Sequence, residues 1–316
     1  MKKFAHSLFT QPLLAFLFLV LVAGQSLTAQ EKYTLKNGYA PGKYEKVMEI
    51  NLDGIAGGSV PLKDTHIRYL TIDASENNAD GTQKIVAKFT RETLKSTKPI
   101  VRNYDSGYHD ADNNTPIKQP PGAVIIVGLK ITTLYDQDGN PIKSEGADEF
   151  FQKLMAVSNT QEADMFVKTL MTDESGQITA DRSLRFNGIR LKMPNVPVAV
   201  GETWKTEVMM DNMSMGKVKV NVENTLTEIK TENGRKIAVI SMKVAHHSDE
   251  PMTIVASIGY TITQVVIRAD AIATVDIESG LVLKIATDAD IEFENNGGNK
   301  STYKAKTTVT TTPKAQ

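Results

Sequence analysis

The chain contains no cysteine in 316 residues. Disulfides, thiolate catalysis, cysteine-ligated zinc and iron–sulfur clusters are thereby excluded together. It has a single tryptophan and five histidines, so imidazole chemistry has few places to reside. An excess of charge of one sign is missing as well, with 36 Lys+Arg against 37 Asp+Glu. Such a balance gives no electrostatic hold on nucleic acid, where dense Lys/Arg must displace counterions. Past residue 29 no stretch long enough for a membrane-spanning helix is free of charge. The usual catalytic frameworks are also lacking. Ser106, Ser175 and Ser279 neighbour glycine, but none sits in a G-x-S-x-G elbow. Gly54, Gly57 and Gly58 have no following Lys-Ser/Thr to cradle a phosphate. No cofactor is implied.

Residues 1–29 read as an export signal: Lys2 and Lys3, an apolar run from Leu13 to Gly24, then the small polar stretch ending at Ala29. Gln25 stands where an acylated lipoprotein needs cysteine, so a lipid anchor is chemically excluded there. Cleavage is expected after Ala29, with a cut after Gly24 as the alternative. Without Lys2 and Lys3, 34 basic residues face 37 acidic ones, a net charge of −3. The expected address is the periplasm or the exterior.

With 41 % hydrophobic and 23 % charged residues, what remains is the composition of an ordinary folded protein. Period-two alternation dominates it. Leu281, Leu283, Ile285, Thr287, Ala289, Ile291 and Phe293 alternate with Lys284, Asp288, Asp290, Glu292 and Glu294, which predicts a long antiparallel strand with one dry and one wet face. Similar runs occur at 44–52, 66–75, 83–92, 123–135, 203–211, 216–229, 235–246, 252–268, 269–276 and 300–312. Two amphipathic helices are expected between them. Phe150, Phe151, Leu154 and Val157 share one face, and Ala163, Phe166, Val167, Leu170 and Met171 share another. Ser158 and Gln161 have the spacing of a capping box.

Internal similarity organises these strands. Gly42-Lys43-Tyr44 resembles Gly201-Glu202-Thr203-Trp204, and Leu70 to Phe89, with its Asp80-Gly81 turn, resembles Leu226 to Val244, with its Asn233-Gly234 turn. The fold expected is mainly β, a curved antiparallel sheet or pair of half-barrels made of two degenerate repeats. Its divisions are a signal at 1–29, a first meander at 30–145, a helical connector at 146–200 and a second meander at 201–316.

The stretch Asp136-Gln137-Asp138-Gly139-Asn140-Pro141-Ile142-Lys143, followed by Met193-Pro194-Asn195-Val196-Pro197-Val198-Ala199-Val200-Gly201-Glu202-Thr203-Trp204, resembles an uncharacterised family of exported bacterial proteins, a domain of unknown function. That family's pattern is a leader peptide, a D-x-x-G turn and a P-x-x-P-V-x-V-G-[DE]-T-W segment opening the second half. The resemblance implies export and no assigned activity. More loosely, a curved sheet backed by helices is similar to periplasmic lipoprotein carriers, which hold acyl chains in a concavity.

Four groups of residues could carry chemistry. Asp110, Asp112 and Asn114 have the 1-3-5 spacing of a calcium loop, but Thr115 and Pro121 occupy the places of its glycine and glutamate. A solvated turn fits the same residues. His246 and His247 are the one histidine cluster. With the Asp105 to Asp112 loop they suggest a metal-dependent hydrolase, although neighbours on a strand point to opposite faces. Met209, Met210, Met213 and Met215 suit an adaptable apolar surface or, with less support, copper. Trp204 is expected to anchor the start of the second half. The leading expectation is a non-enzymatic exported module that binds an apolar or amphipathic ligand, such as a lipid, or an envelope protein. Met210, Met213, Met215 and Trp204 are its candidate contacts, and a structural envelope role is the third possibility.

Overall fold

The structure, a computed structural model, describes residues 30–98, 102–105, 128, 130–136, 141–146, 191–212, 216–255 and 260–314. Residues up to Lys32 and residues from Tyr33 onward are separate units, and the large sheet belongs to the second. The export signal, both expected helices and the Asp110 to Asn114 loop lie outside the described residues.

About three quarters of the described residues are strand, and there is no helix among them. Alternating apolar and polar residues explain this, because only an extended chain puts every second side chain on one face. In chain order the strands are β1 (Lys32–Tyr33), β2 (Gly42–Ala56), β3 (Val60–Asn77), β4 (Gln83–Lys98), β5 (Arg102–Asp105), β6 (Lys130–Tyr135), β7 (Pro141–Glu145) and β8 (Val198–Ala199). After these come β9 (Thr203–Asn212), β10 (Gly216–Glu232), β11 (Arg235–Ser248), β12 (Met252–Val255), β13 (Tyr260–Asp276), β14 (Val282–Asn295) and β15 (Lys300–Pro313). The alternation placed a boundary between 268 and 269, but β13 runs through it, since Arg268 and Ala269 keep the alternation and pair in register with Asp290 and Ala289.

One antiparallel sheet contains the main strands in the order β7-β6-β4-β3-β2-β15-β14-β13-β11-β10-β9, with β5 beside β4 and β12 beside β13. The chain therefore starts in the middle at β2, moves outward to the edge strand β7, and re-enters at the opposite edge as β9. It then works back until β15 pairs with β2. The other neighbouring pairs along the main path follow chain order, consecutive strands except where β5 lies between β4 and β6 and β12 between β11 and β13.

The two faces of the sheet differ sharply. On the wet face, cross-strand ion pairs form a ladder, including Lys306 with Asp288 at 3.0 Å and Lys219 with Glu207 at 2.6 Å. These are exposed and each contributes only a few tenths of a kcal/mol up to ~1 kcal/mol. On the dry face the side chains of Met48, Ile50, Leu70, Ile72, Phe89, Leu226, Ile240 and Ile267 are buried. Hydrophobic burial on that face is the main stabilising contribution.

Residues 33–41 cross one end of the sheet. Lys236 on β11 lies 5.8 Å over the Tyr33 ring, the Gly38 N–H donates to the Gly280 carbonyl at 3.1 Å, and Gln83 on β4 donates to the Tyr39 carbonyl at 2.8 Å. The sheet is curved, and Leu35 of this strap is buried in the core. Gly54 on β2 contributes at the other end. A Cβ there would stand 2.1 Å from the Thr302 carbonyl oxygen, so only glycine lets β2 and β15 approach this closely. Among the described residues no helix is long and apolar enough to cross a membrane.

Candidate functional site

The dry face is not uniformly apolar. One row of directly paired positions runs across it from Trp204 on β9 through Asn224, Met242 and Ala271 to Thr287 and Thr307, then through Ile50 to His66 on β3. Asn224, Thr287 and Thr307 are at most 5 % exposed. The Asn224 amide nitrogen donates to the Thr206 hydroxyl at 3.0 Å, but its Oδ1 has no partner, and neither do the hydroxyls of Thr287 and Thr307. Buried polar atoms are nearly always hydrogen-bonded, so three orphans on one row call for a physical reason.

Near the row's end on β3, Asp64, His66 and Arg68 occupy alternate positions and therefore share the dry face. Glu92 on β4 joins them because of a bulge. Tyr69 pairs with Arg91 and Leu70 with Phe89, which leaves Thr90 extra. That extra residue reverses the alternation and turns Glu92 inward after Ile85, Ala87 and Phe89. Glu92 Oε1 lies 2.5 Å from His66 Nε2 and accepts from Arg68 Nε at 2.8 Å. Burial pushes the His66 imidazole below its ordinary value, against the upward pull of the Glu92 hydrogen bond. The neutral ring is thus favoured. Asp64 Oδ1 is buried without a partner.

Between these polar groups the floor is made of small side chains. Ala269, Ala289 and Ala305 stand opposite one another across β13, β14 and β15, and Ala271 and Ala273 adjoin them. Larger residues rise on either side, with Ile267, Ile291 and Tyr303 toward one end of the strands and Ile285, Val309 and Met48 toward the other. The result is a band of small side chains across the strands, with Thr287 and Thr307 on the adjoining row, buried from bulk water.

The residues singled out from sequence fare unevenly. Trp204 stands at the row's β9 end, and its indole N–H donates to the Lys192 carbonyl at 2.9 Å. Met210 is on β9 opposite Val218, while Met213 and Met215 lie outside the described residues. So do Asp110, Asp112 and Asn114. His246 and His247 do not meet in one site. The Nε2 of His246 is buried without a partner, with burial lowering its pKa, whereas His247 is exposed and lies 3.0 Å from Asp249. Asp105 ends β5, beside β4, and the strands β3, β2, β15, β14 and β13 separate β4 from β11 in the sheet. Among the described residues no three His, Asp or Glu side chains are arranged to hold a metal ion. The charged group on β3 was missed, although three titratable residues at alternate positions beside Leu62, Leu70 and Ile72 were a readable signal.

No protein-family model and no curated protein sequence matches the chain. Solved structures do. One of lipovitellin, concerned with lipid–protein interactions, is similar at 10 % identity over 88 % of this chain, with a TM-score of 0.42. The match covers 26 % of that chain, so this protein spans about a quarter of lipovitellin's length. Salmonella typhi OmpF in complex with daunomycin is similar at 8 % identity over 86 % of this chain and 98 % of its own, with a TM-score of 0.18. The binding domain of botulinum neurotoxin serotype C1 is similar at 10 % identity over 88 % of this chain and 84 % of its own, with a TM-score of 0.13. Overlays this loose transfer no function, and the chemistry of the dry face rests on the chain's own residues.

Proposed function

We propose that this is an exported, non-enzymatic binding module that holds an apolar or amphipathic ligand against the dry face of its curved sheet. The observation that carries the reading is the curved sheet's dry face, where a band of small side chains on β13, β14 and β15 adjoins the buried, partnerless hydroxyls of Thr287 and Thr307. The signal-like residues 1–29 support export, and the segments Asp136 to Lys143 and Met193 to Trp204 support kinship with the exported family they resemble. The two halves read as degenerate copies. Tyr44 and Trp204 open β2 and β9, and the hairpins β3-β4 and β10-β11 come next in the same order.

The test uses protein recovered from cells expressing the full chain and N-phenyl-1-naphthylamine, an uncharged dye that brightens in apolar surroundings. Saturable uptake is expected, with Ala289→Leu weakening it while leaving stability unchanged. No uptake overturns the reading. So does an Ala289→Leu protein that loses roughly 1–3 kcal/mol, the cost of adding methylenes to a core already filled.

A further inference from the structure

Residues 34–41 are held to the sheet quite differently from its strands. None of them is in a strand, and Leu35 is their one buried side chain. In place of a ladder they have separate anchors. On the side of the second half, the Gly38 N–H donates at 3.1 Å to the carbonyl of Gly280, in the turn between β13 and β14. On the side of the first half, Gln83 donates to the Tyr39 carbonyl at 2.8 Å and the Tyr44 hydroxyl donates to the Ala40 carbonyl at 2.6 Å. The Tyr39 and Tyr44 rings also meet edge to face, with centroids 5.3 Å apart. β2, β4, β11 and β14 all begin at this end, so the strap crosses one end of the dry face, with Leu35 reaching into its core. The strands behind it pair with their neighbours over nearly their whole length. A segment with few backbone hydrogen bonds and little buried surface opens locally, at a free energy below that of the whole sheet.

We infer that residues 34–41 form a latch that opens and closes over this end of the dry face while the sheet stays folded, and that an apolar ligand enters and leaves beneath it. The ligand route rests on the binding reading above. Gly280 sets the closed position. Its φ is 75°, and a Cβ there would stand 2.8 Å from the Lys36 carbonyl oxygen and 2.9 Å from Lys36 Cγ, so only glycine lets the strap seat this closely. A latch acts on rates and not on affinity. Entry and exit both scale with the fraction of time it is open, so loosening it speeds both and leaves their ratio unchanged.

The experiment has two parts, both on protein recovered from cells expressing the full chain. In hydrogen exchange, the Gly38 amide is expected to exchange faster than the amides of β13, at a rate that low urea does not alter, which is the signature of local opening. In stopped-flow uptake and release of N-phenyl-1-naphthylamine, Gly280→Ala and Gln83→Leu, which loosen the two anchors separately, should each raise both rate constants by about tenfold with the dissociation constant unchanged. Gly54→Ala, which loosens the opposite end of the sheet, should leave both rates as they are. Gly38 exchange that follows β13 in rate and urea dependence overturns the latch whether or not the dye binds. Unchanged rates in Gly280→Ala and Gln83→Leu overturn the entry route, and so does equal acceleration in Gly54→Ala, which would mean general loosening. A change confined to the release rate would make the strap a ligand contact, and also overturns it. No dye uptake removes the binding reading and the entry route together, whereas normal uptake with slow Gly38 exchange removes the latch alone.

Discussion

Glu92 Oε1 on β4 serves two bases of β3 at once, lying 2.5 Å from His66 Nε2 and 2.8 Å from Arg68 Nε. Both contacts are on the largely buried dry face, where a charge stripped of its counterion is costly. Glu92→Ala should therefore destabilise the protein by about 3–5 kcal/mol, since it leaves the Arg68 guanidinium buried without that carboxylate. Replacing the pair together, as Arg68→Met with Glu92→Leu, should cost less than Glu92→Ala alone. Urea unfolding of the wild type and both variants checks the order, and equal losses in the two variants would contradict it.

Acid should weaken the fold through His66. Its pKa in the folded protein is lowered, first by burial, so below the ordinary value near 6.5 the unfolded chain binds more protons than the folded one. Stability is then fully present above about pH 6.5 and declines as the pH falls from there through the lowered folded value. His246 acts in the same direction, again chiefly through burial. His66→Asn should flatten the decline in thermal midpoint between about pH 7 and pH 5, the range in which an ordinary histidine gains its proton. An unchanged slope would argue against the assignment.

Gly54 offers a steric test. Gly54→Ala places a methyl group 2.1 Å from the Thr302 carbonyl oxygen, a backbone atom that cannot swing away. β2 and β15 must separate locally, at a cost of roughly 2–3 kcal/mol for strain of this kind. Hydrogen exchange should quicken at Ile55 and Tyr303 before it does so elsewhere in β2 and β15.

Thr287→Val and Thr307→Val should each stabilise the ligand-free protein by about 1 kcal/mol, because each removes a buried hydroxyl that has no partner. The two positions are directly opposite, so their effects need not add. A gain in thermal midpoint is expected, and a loss would show that the hydroxyls already have partners in the folded protein.

Much of the sheet was legible in the sequence because alternation is a local property. The run from Ile285 to Phe293 became the dry side of β14, and the Asn233-Gly234 pair became a hairpin turn with φ of 50° and 76°. The long-range pairing of β15 with β2 was not legible, since nothing within either strand names its partner. Leu283 left the expected pattern because Val282 and Lys284 pair with consecutive residues, Val275 and Thr274, at a bulge.

The candidate site was half readable. Asp64, His66 and Arg68 are spaced to share one face, and that spacing is visible in the sequence. Glu92 was not predictable, because only the bulge at Thr90 turns it inward. The row of Asn224, Thr287 and Thr307 assembles residues from three distant segments, and register alone brings them into line.

The decisive observation is what the protein carries. Native mass spectrometry of protein recovered from cells expressing the full chain, followed by denaturation and identification of whatever is released, addresses the dry face directly. Release of a stoichiometric apolar or amphipathic molecule is the expected result. Protein that shows only its own mass, and does not take up the dye, would contradict the binding function outright.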